Sequence, residues 1–388
     1  MKRSLLLPLA LTGCMLAFFS VNAQPVAVTK TNPTKVYVHY MPWFSAPQNP
    51  GSGITSFGNG ATGTVNKWGT HWSNVSPNTA IPDSFTTVIN YLGNSVQTRR
   101  ICAHYHPLIG PYDGGDTAVL EYHLLLMKLA GIDGVMIDWY GKTGSNGDVT
   151  PLFNTSNALI AQTPNVGLKF GLVMEDNFWG TTIGTYAQPN GNYAVANLFT
   201  NPQYIKLGDM RAPIDTVNQN APLVCVFGPI HYKTPGQWNS ILGGQTAAFL
   251  PLYNQSGSIG TDAGGEFLWP DPQAGQSGNP PAWYNVTSNY YSGNGMTIHN
   301  KPSHNVILGS AYQGFNDFYG TGGAPTLGVI PRNYGPSGNT LSTILSLDNA
   351  QKSNMDGIQI ATWNDYSEGT IIEPTVEFGF ASLDTIQK

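Results

Sequence analysis

Short apolar runs recur along the chain, and longer segments of mixed polarity separate them. Several of these runs are almost continuously apolar, which is typical of strands that are buried on both faces of a parallel sheet. We predict eight strands from this pattern, at residues 35–43, 99–107, 134–140, 169–176, 222–229, 247–253, 305–312 and 357–364.

Three of the intervening segments have the pattern of helices. Residues 116–132 give the clearest signal, because Asp116 is a good N-cap and Gly131 provides a stop after a run of leucines. Segments 82–93 and 341–352 are further candidates. Strands that alternate with helices predict an α/β fold, a (β/α)8 TIM barrel, with an open doubly wound sheet as the alternative.

One stretch interrupts this alternation. Residues 255–300 are rich in Gly, Asn and Pro and show little periodicity, so we predict a long loop insertion there. No short internal repeat is visible in the sequence. We therefore expect a single catalytic-type domain that carries long loop insertions.

The first residues have the pattern of a secretory signal. Two basic residues precede an apolar run, and small residues follow it up to Ala23. We predict a signal peptide at 1–23, a single domain at 24–388 and an extracytoplasmic location, periplasmic or secreted. The residues before Cys14 also resemble a lipoprotein box, so lipid anchoring is the alternative. No later apolar run approaches the roughly 20 residues that a membrane span needs.

Composition narrows the possible partners. Only 10% of the residues are charged and the net charge is -5, so no basic surface favours a nucleic acid partner. The abundance of Gly, Pro and aromatic residues is typical of an ordered, loop-rich secreted protein. Cys102 and Cys225 each lie in an apolar run, and we predict that both are buried free thiols.

Polar and aromatic residues gather where the predicted strands end. Because the carboxyl ends of parallel strands converge on one face of a barrel, we predict that these residues form one site. Trp and Tyr rings match the apolar face and hydroxyl rim of a sugar, so the expected partner is a polysaccharide or oligosaccharide. The predicted substrate-binding residues are His39, Tyr40, Trp43, His71, Trp72, His104, His106, Tyr112, Asp138, Trp139, Glu175, Tyr312, Trp363 and Asn364.

The stretch 361–374 places two carboxylates, Asp365 and Glu368, three residues apart after the last predicted strand. Glycosidases need one protonated carboxyl group and one ionised carboxylate, which this pair could provide. The alternatives are that Asp365 caps a turn and that Glu368 is a salt-bridged surface group. Glu373 is predicted to be structural. Asp138 and Glu175 are candidates for binding hydroxyls or for tuning the pKa of the acid.

His104 and His106 alternate along one predicted strand, so a metal-dependent hydrolase has to be considered. Zinc would need a third protein ligand, and the sequence offers no spacing signature for one. Hydrogen bonding to sugar hydroxyls explains both imidazoles more simply. We therefore predict no metal and no cofactor.

Four motifs resemble the secreted glycoside hydrolases of families 71 and 99. They are "VYVHYMPWF", "HYHPLIGPYDGGD", "AGIDGVMIDWYG" and "TWNDYSEGTIIEP", and the resemblance runs from about Lys35 to Pro374. It implies a (β/α)8 barrel that hydrolyses α-linked glycans, of the α-1,3-glucanase or endo-α-mannanase type. Family 99 typically has two Glu in the last motif. Here Asp365 replaces the first, which is more similar to family 71, while "HPLIGPY" and "EGTIIEP" are similar to family 99.

The resemblance also implies roles for the two carboxylates, with Glu368 as the general acid and Asp365 as the base. In a route like that of family 71, Asp365 would activate water and invert the anomeric centre. In a route like that of family 99, it would assist attack by the sugar's own 2-hydroxyl, with net retention. Asp is one methylene shorter than Glu, which favours the water-mediated route. A glycan-binding barrel that has lost catalysis is the alternative function.

Overall fold

The computed structural model describes residues 28–46, 68–69, 71–73, 81, 84–210, 218–292, 305–322 and 325–388. Its centre is a parallel sheet of seven strands. They are β1 (Val36–Tyr40), β4 (Gly134–Trp139), β5 (Lys169–Met174), β6 (Leu223–Val226), β7 (Ala248–Pro251), β8 (Leu308–Tyr312) and β11 (Gly357–Ala361). Strands are numbered in chain order, and β2, β3, β9 and β10 lie outside this sheet. The order of the seven strands across the sheet is β7-β6-β5-β4-β1-β11-β8. Seven of the eight predicted strands are therefore confirmed.

Helices accompany the strands. They are α1 (Thr117–Leu129), α2 (Val149–Val166), α3 (Ala187–Tyr193), α4 (Leu207–Met210), α5 (Gln237–Ile241), α6 (Ser256–Ile259), α7 (Ala282–Ser292), α8 (Thr340–Gln351) and α9 (Ala381–Gln387). α1 and α8 confirm two predicted helices, and the Asp116 side chain accepts the Ala118 N–H as the predicted cap. None of the helices in the described part of the chain is both long and apolar enough to cross a membrane.

Two predictions near the start of the chain are wrong. The predicted helix 82–93 and the start of the predicted strand 99–107 form an antiparallel hairpin, β2 (Phe85–Ile89) and β3 (Ser95–Arg99). β-branched residues favour the extended conformation in β2, and the turn uses Gly93 at φ +82°. The hairpin lies outside the parallel sheet, so β1 pairs directly with β4.

The predicted loop 255–300 is also more ordered than its composition indicates, since it contains α6 and α7. Residues 293–300 lie outside the described residues. Helix α2 was not predicted at all. A further short pair, β9 (Phe315–Asn316) and β10 (Val329–Ile330), follows β8 and pairs antiparallel.

An extended segment, 264–268, lies between the two edge strands β7 and β8. The Gly264 N–H donates to Phe249 O at 2.7 Å and the Phe267 N–H donates to Pro251 O at 3.0 Å. On the other side, the Val306 N–H donates to Gly264 O at 2.9 Å. The seven strands and their helices thus form a curled (β/α)-barrel-like sheet.

Two apolar layers cover the two faces of the sheet, because successive side chains of a strand point to opposite faces. The layer against the helices contains Ile137, Trp139 and Leu124. The inner layer contains Tyr37, Met136, Val173, Cys225, Leu250, Phe267 and Leu308. The same alternation places Asp138, two residues after Met136, on the inner face at the carboxyl end of β4. Cys102 and Cys225 are both buried thiols outside any disulfide, as predicted.

Candidate active site

Four carboxyl groups meet at the carboxyl end of the sheet. Asp138 ends β4, Glu175 directly follows β5, and Asp365 and Glu368 lie in the loop after β11. Their charges are close enough to act on one another: Asp138 raises the pKa of both Glu175 and Asp365, and Asp365 raises that of Glu368. Asp138, Glu175 and the pair Asp365 and Glu368 come from three separate segments of the chain. The sequence singled out all four carboxylates, and the structure brings them together.

A tight turn holds Asp365 and Glu368. The Asp365 Oδ1 atom accepts the Ser367 hydroxyl at 2.8 Å and the Glu368 N–H at 3.1 Å. Gly369 closes the turn with φ +66°, and a Cβ there would come within 2.8 Å of Asn316 O. One oxygen of Asp365 thus caps the turn, as the structural alternative predicted, while Oδ2 takes no part in these bonds.

Glu368 is half-buried, and each of its oxygens faces a different donor. The Tyr319 hydroxyl donates to Oε1 at 3.2 Å, and the Trp269 Nε1–H donates to Oε2 at 3.4 Å. Burial and the neighbouring Asp365 charge raise the pKa of Glu368 well above its usual range, and the two donors offset only part of this rise. Glu368 is therefore suited to carry a proton near neutral pH.

Asp365 is almost completely buried, and this burial raises its pKa to about 6. The hydrogen bonds from Ser367 and from the Glu368 N–H act in the opposite direction, because they stabilise the ionised form. Since its pKa is below neutral, Asp365 can be ionised while Glu368 is protonated. These are the charge states that a base and an acid need.

His39 and Asp138 lie beneath this pair. The His39 Nε2 atom is 3.9 Å from Asp138 Oδ1, which is too long for a hydrogen bond. Both oxygens of Asp138 are buried and have no hydrogen-bond partner among the described residues. Burial accordingly raises the pKa of Asp138, and burial together with the Asp138 charge raises that of Glu175. Glu175 is half-buried and Asp138 is fully buried, so Glu175 is the more accessible of the two.

A buried polar network lies behind the site and contains two of the predicted substrate-binding tyrosines. The Tyr40 hydroxyl is 3.1 Å from His123 Nδ1, and His123 Nε2 is 3.2 Å from Glu373 Oε1. The Tyr112 hydroxyl donates to Glu373 Oε2 at 2.9 Å, and the Asn364 amide donates to the Tyr112 hydroxyl at 3.1 Å. These side chains satisfy one another, so they support the site from within the core.

Asn364 also joins two loops. Its Oδ1 accepts the Met41 N–H at 2.8 Å, and its Nδ2 donates to Met41 O at 3.0 Å. The loop after β11 is thereby fixed to the loop after β1. Asn364 therefore positions the turn that carries Asp365, and its contact with substrate stays a prediction.

Several aromatic residues predicted to bind substrate lie in the core. Trp139, Tyr312 and Trp363 are buried in the layer between the sheet and the helices. Trp72 is also fully buried and stacks on Phe44 at a centroid distance of 4.0 Å.

Trp43 and His71 do come together, at a centroid distance of 4.0 Å and an angle of 7° between the rings. Burial lowers the pKa of His71 to about 3, so its imidazole is neutral. Trp43 is 8% exposed. The pair forms a rigid aromatic stack beside the loop after β1.

His104 and His106 do not share a strand face, because their segment is not a strand. His104 is exposed and its Nε2–H donates to Asp317 O at 3.0 Å. His106 is buried, and its Nδ1 lies 2.7 Å from Glu377 Oε1. In the described part of the chain, no group of three or more His, Cys, Asp or Glu side chains could hold a metal ion.

The sequence did not single out Trp269 and Tyr319, whose side chains donate hydrogen bonds to the Glu368 carboxyl group. Trp269 follows the extended segment 264–268, inside the stretch predicted to be a loop, and Tyr319 follows β9. A signal for Trp269 existed, because a Trp also stands at the end of the apolar runs that contain Trp139 and Trp363. No comparable local signal marks Tyr319.

The fold is similar to that of solved structures of glycoside hydrolases. The structure is similar to the GH99 endo-alpha-mannosidase from Bacteroides thetaiotaomicron, with a TM-score of 0.59 and 16% identity over 91% of this chain and 95% of that chain. The complex of that enzyme with bis-tris propane gives a TM-score of 0.57 at 16% identity, covering 91% of this chain and 94% of that chain. A glycoside hydrolase-like protein gives 0.57 at 12% identity, covering 94% and 96%.

No protein-family model and no curated protein matches the chain. The likeness to the solved structures is a likeness of fold, and it agrees with the resemblance to families 71 and 99 that the motifs carry.

Proposed function

We propose that the protein is a glycosidase that hydrolyses an α-linked polysaccharide or oligosaccharide, an α-glucan or α-mannan, with Glu368 as acid and Asp365 as base. The observation that supports this most directly is the state of the two carboxyls. Burial and mutual charge raise the pKa of Glu368 well above its usual range, while that of Asp365 is about 6. The two groups lie at the carboxyl end of a barrel-like sheet, where active sites form.

The chemistry follows from these charge states. Glu368 gives its proton to the glycosidic oxygen as the bond from that oxygen to the anomeric carbon breaks, and the oxygen keeps the bonding electrons. Asp365 takes a proton from a water molecule, whose oxygen forms the new bond to the anomeric carbon. One water is consumed and the configuration inverts. Oδ2 of Asp365 is the oxygen that we propose as the base, because Oδ1 accepts the Ser367 hydroxyl and the Glu368 N–H.

Product release from α-1,3-glucan and from α-1,2- and α-1,6-linked mannan tests this proposal. We expect the wild type to cut one of these polymers and the Glu368→Gln variant to be at least ~1,000-fold slower, since the amide has no acidic proton to give. Glu121→Gln, an exposed position on α1, is the matched control and should retain full activity. Turnover by Glu368→Gln at the wild-type rate would exclude Glu368 as the acid.

A glycan-binding barrel without catalysis is the second candidate. The observation that favours it is the engagement of Asp365 Oδ1 in the turn, which is a structural use of that carboxylate. In that case the wild type and Asp365→Asn would bind the same polymer equally well and neither would release product.

Two further proposals concern the chain as a whole. The signal pattern at 1–23 lies outside the described residues; we propose that it directs the protein out of the cytoplasm, and amino-terminal sequencing of the mature protein would test this. We also propose that segment 264–268 takes the eighth strand position of a (β/α)8 barrel, since it bonds to β7 and to the chain that leads into β8.

A further inference from the structure

The two oxygens of Glu368 face donors of different kinds. Trp269 contacts Oε2 through an indole N–H, which can only donate a hydrogen bond. Tyr319 contacts Oε1 through a hydroxyl, which can donate or accept. The acid therefore has one oxygen that must remain an acceptor and one that can carry a proton.

This difference decides where the acid proton lies. A proton on Oε2 would point at the indole N–H of Trp269, so two hydrogens would compete for one contact. A proton on Oε1 meets a hydroxyl that can turn to accept it. We propose that Trp269 and Tyr319 are positioning residues that confine the acid proton of Glu368 to Oε1. This proposal rests on the proposed function, in which Glu368 is the acid.

The surroundings of Trp269 keep its indole in place. The ring packs edge-on against His39, with centroids 4.9 Å apart, and against Phe227 at 5.0 Å. Its chain is anchored one residue earlier, where Leu268 O accepts the Ser310 hydroxyl at 2.9 Å. The N–H of Trp269 therefore points at one oxygen of Glu368 without needing support from the substrate.

Tyr319 has the opposite property, because its hydroxyl can reverse its role. Burial and the charges of Glu368 and Asp365 raise the pKa of Tyr319 far above its usual range, so the hydroxyl stays neutral. The Tyr319 N–H donates to Asp317 Oδ1 at 3.1 Å, which fixes the backbone while the hydroxyl turns. It can accept from protonated Oε1 and donate to the same oxygen once the proton has gone to the sugar.

The pH dependence of kcat/KM tests the assignment. Each donor stabilises the ionised form of Glu368. In Trp269→Phe and in Tyr319→Phe, the pH at which kcat/KM falls on the basic side of the profile, its basic limb, should therefore move up by about one unit. Trp269→Phe should in addition lower kcat by about 2-fold with little change in KM, because the proton then lies on each oxygen for about half of the time. Both variants keep an aromatic ring in place.

Two control variants separate these effects from general loss of packing. Trp283→Phe removes an indole N–H that bonds Gln276, and Tyr253→Phe removes a hydroxyl on a half-buried tyrosine, both outside the site. We expect the basic limb to stay in place in both. The proposal is overturned if the limb is unmoved in both site variants, or if it moves equally in the controls.

A second readout does not depend on turnover. The infrared difference spectrum between wild type and Glu368→Gln contains the C=O stretch of the protonated acid, whose titration midpoint reports the pKa of Glu368. This midpoint should rise in Trp269→Phe. If Glu368→Gln retains activity while the midpoint still rises in Trp269→Phe, the proposed function fails and the hydrogen-bond assignment holds. An unchanged midpoint in Trp269→Phe overturns the hydrogen-bond assignment by itself.

Discussion

At the scale of single residues, the charge state of Asp365 depends on bonds made within its own turn. Burial raises its pKa, and the Ser367 hydroxyl and the Glu368 N–H hold it at about 6. Asp365 and Glu368 also act on each other, so the two titrate as a pair. The pair separates into one ionised and one protonated group because burial and the Asp365 charge raise the pKa of Glu368 well above its usual range, while the pKa of Asp365 is about 6.

This separation predicts a bell-shaped pH profile. Asp365 works as a base only when ionised, so kcat/KM should rise as the pH increases through about 6. Glu368 works as an acid only when protonated, so kcat/KM should fall again as the pH passes its raised pKa. Initial rates from pH 4 to pH 10 measure both limbs. A flat profile between pH 4 and pH 7 would contradict the role of Asp365.

Ser367→Ala sharpens this test. The variant removes a donor to Asp365 Oδ1, which destabilises the ionised form, so the acidic limb should move up by roughly 0.5 to 1 pH unit. Ser346→Ala, at an exposed position on α8, is the matched control and should leave the limb in place. Movement of the acidic limb to lower pH in Ser367→Ala would show that the hydroxyl does not stabilise the carboxylate.

At the scale of elements, two buried carboxyls hold helices and loops against the sheet. Asp348 of α8 accepts the Tyr291 hydroxyl of α7 at 2.5 Å and lies against β8, where a Cβ on Gly309 would come within 2.3 Å of it. Glu373 contacts both His123 of α1 and Tyr112. Each carboxyl is therefore part of the contact between elements, and removing it should affect stability.

Asp348 makes stability depend on pH. Burial raises its folded-state pKa to about 8, above the unfolded value near 4. Its contribution to stability is therefore fully present below about pH 4 and is lost as the pH rises towards 8, by up to about 1.4 kcal/mol per pH unit. Urea unfolding at a series of pH values should show this slope. Asp348→Asn should flatten it; an unchanged slope in that variant would contradict the assignment.

Glu373 predicts a loss of stability that does not depend on catalysis. Glu373→Ala leaves His123 and Tyr112 buried without their acceptor, so the free energy of unfolding should fall by about 3–5 kcal/mol. Glu121→Ala, on the exposed face of α1, should change it by less than about 0.5 kcal/mol. Denaturant unfolding of both variants checks this, and equal stability of the two would show that the network contributes nothing.

At the scale of the whole molecule, the two thiols report on different parts of the core. Cys225 lies in the inner layer of the sheet, and burial raises the pKa of its thiol well above the usual range. Cys102 lies in a separate small cluster with Ile81 and Phe318. If the molecule unfolds as one unit, both thiols should become reactive at the same rate.

Single-thiol variants test this cooperativity. Cys102→Ala and Cys225→Ala each leave one buried thiol in the described part of the chain, and a thiol reagent should modify it only as fast as the whole protein unfolds. The rate is compared with unfolding followed by circular dichroism. Faster labelling of Cys102 than of Cys225 would show that the segment around Cys102 opens independently of the sheet.

The sequence by itself determined the seven strands of the parallel sheet, two of the helices and the spacing of the acidic pair, because their signals are local. Continuous apolar runs predicted seven strands of the sheet, since burial of both faces is visible in the run itself. The short spacing of Asp365 and Glu368 indicated that one turn holds both. Residues at strand ends could likewise be expected to meet, because parallel strands bring their carboxyl ends to one edge.

Only the tertiary structure decided which aromatic residues face the site. In the sequence, Trp72, Trp139 and Trp363 cannot be told apart from Trp269 by residue type. In the structure these three side chains are buried in the core. Trp269 and Tyr319 reach Glu368 from 99 and 49 residues away in the chain. Contacts at such separations depend on the closure of the whole sheet, and no local pattern of hydrophobic and polar positions contains them.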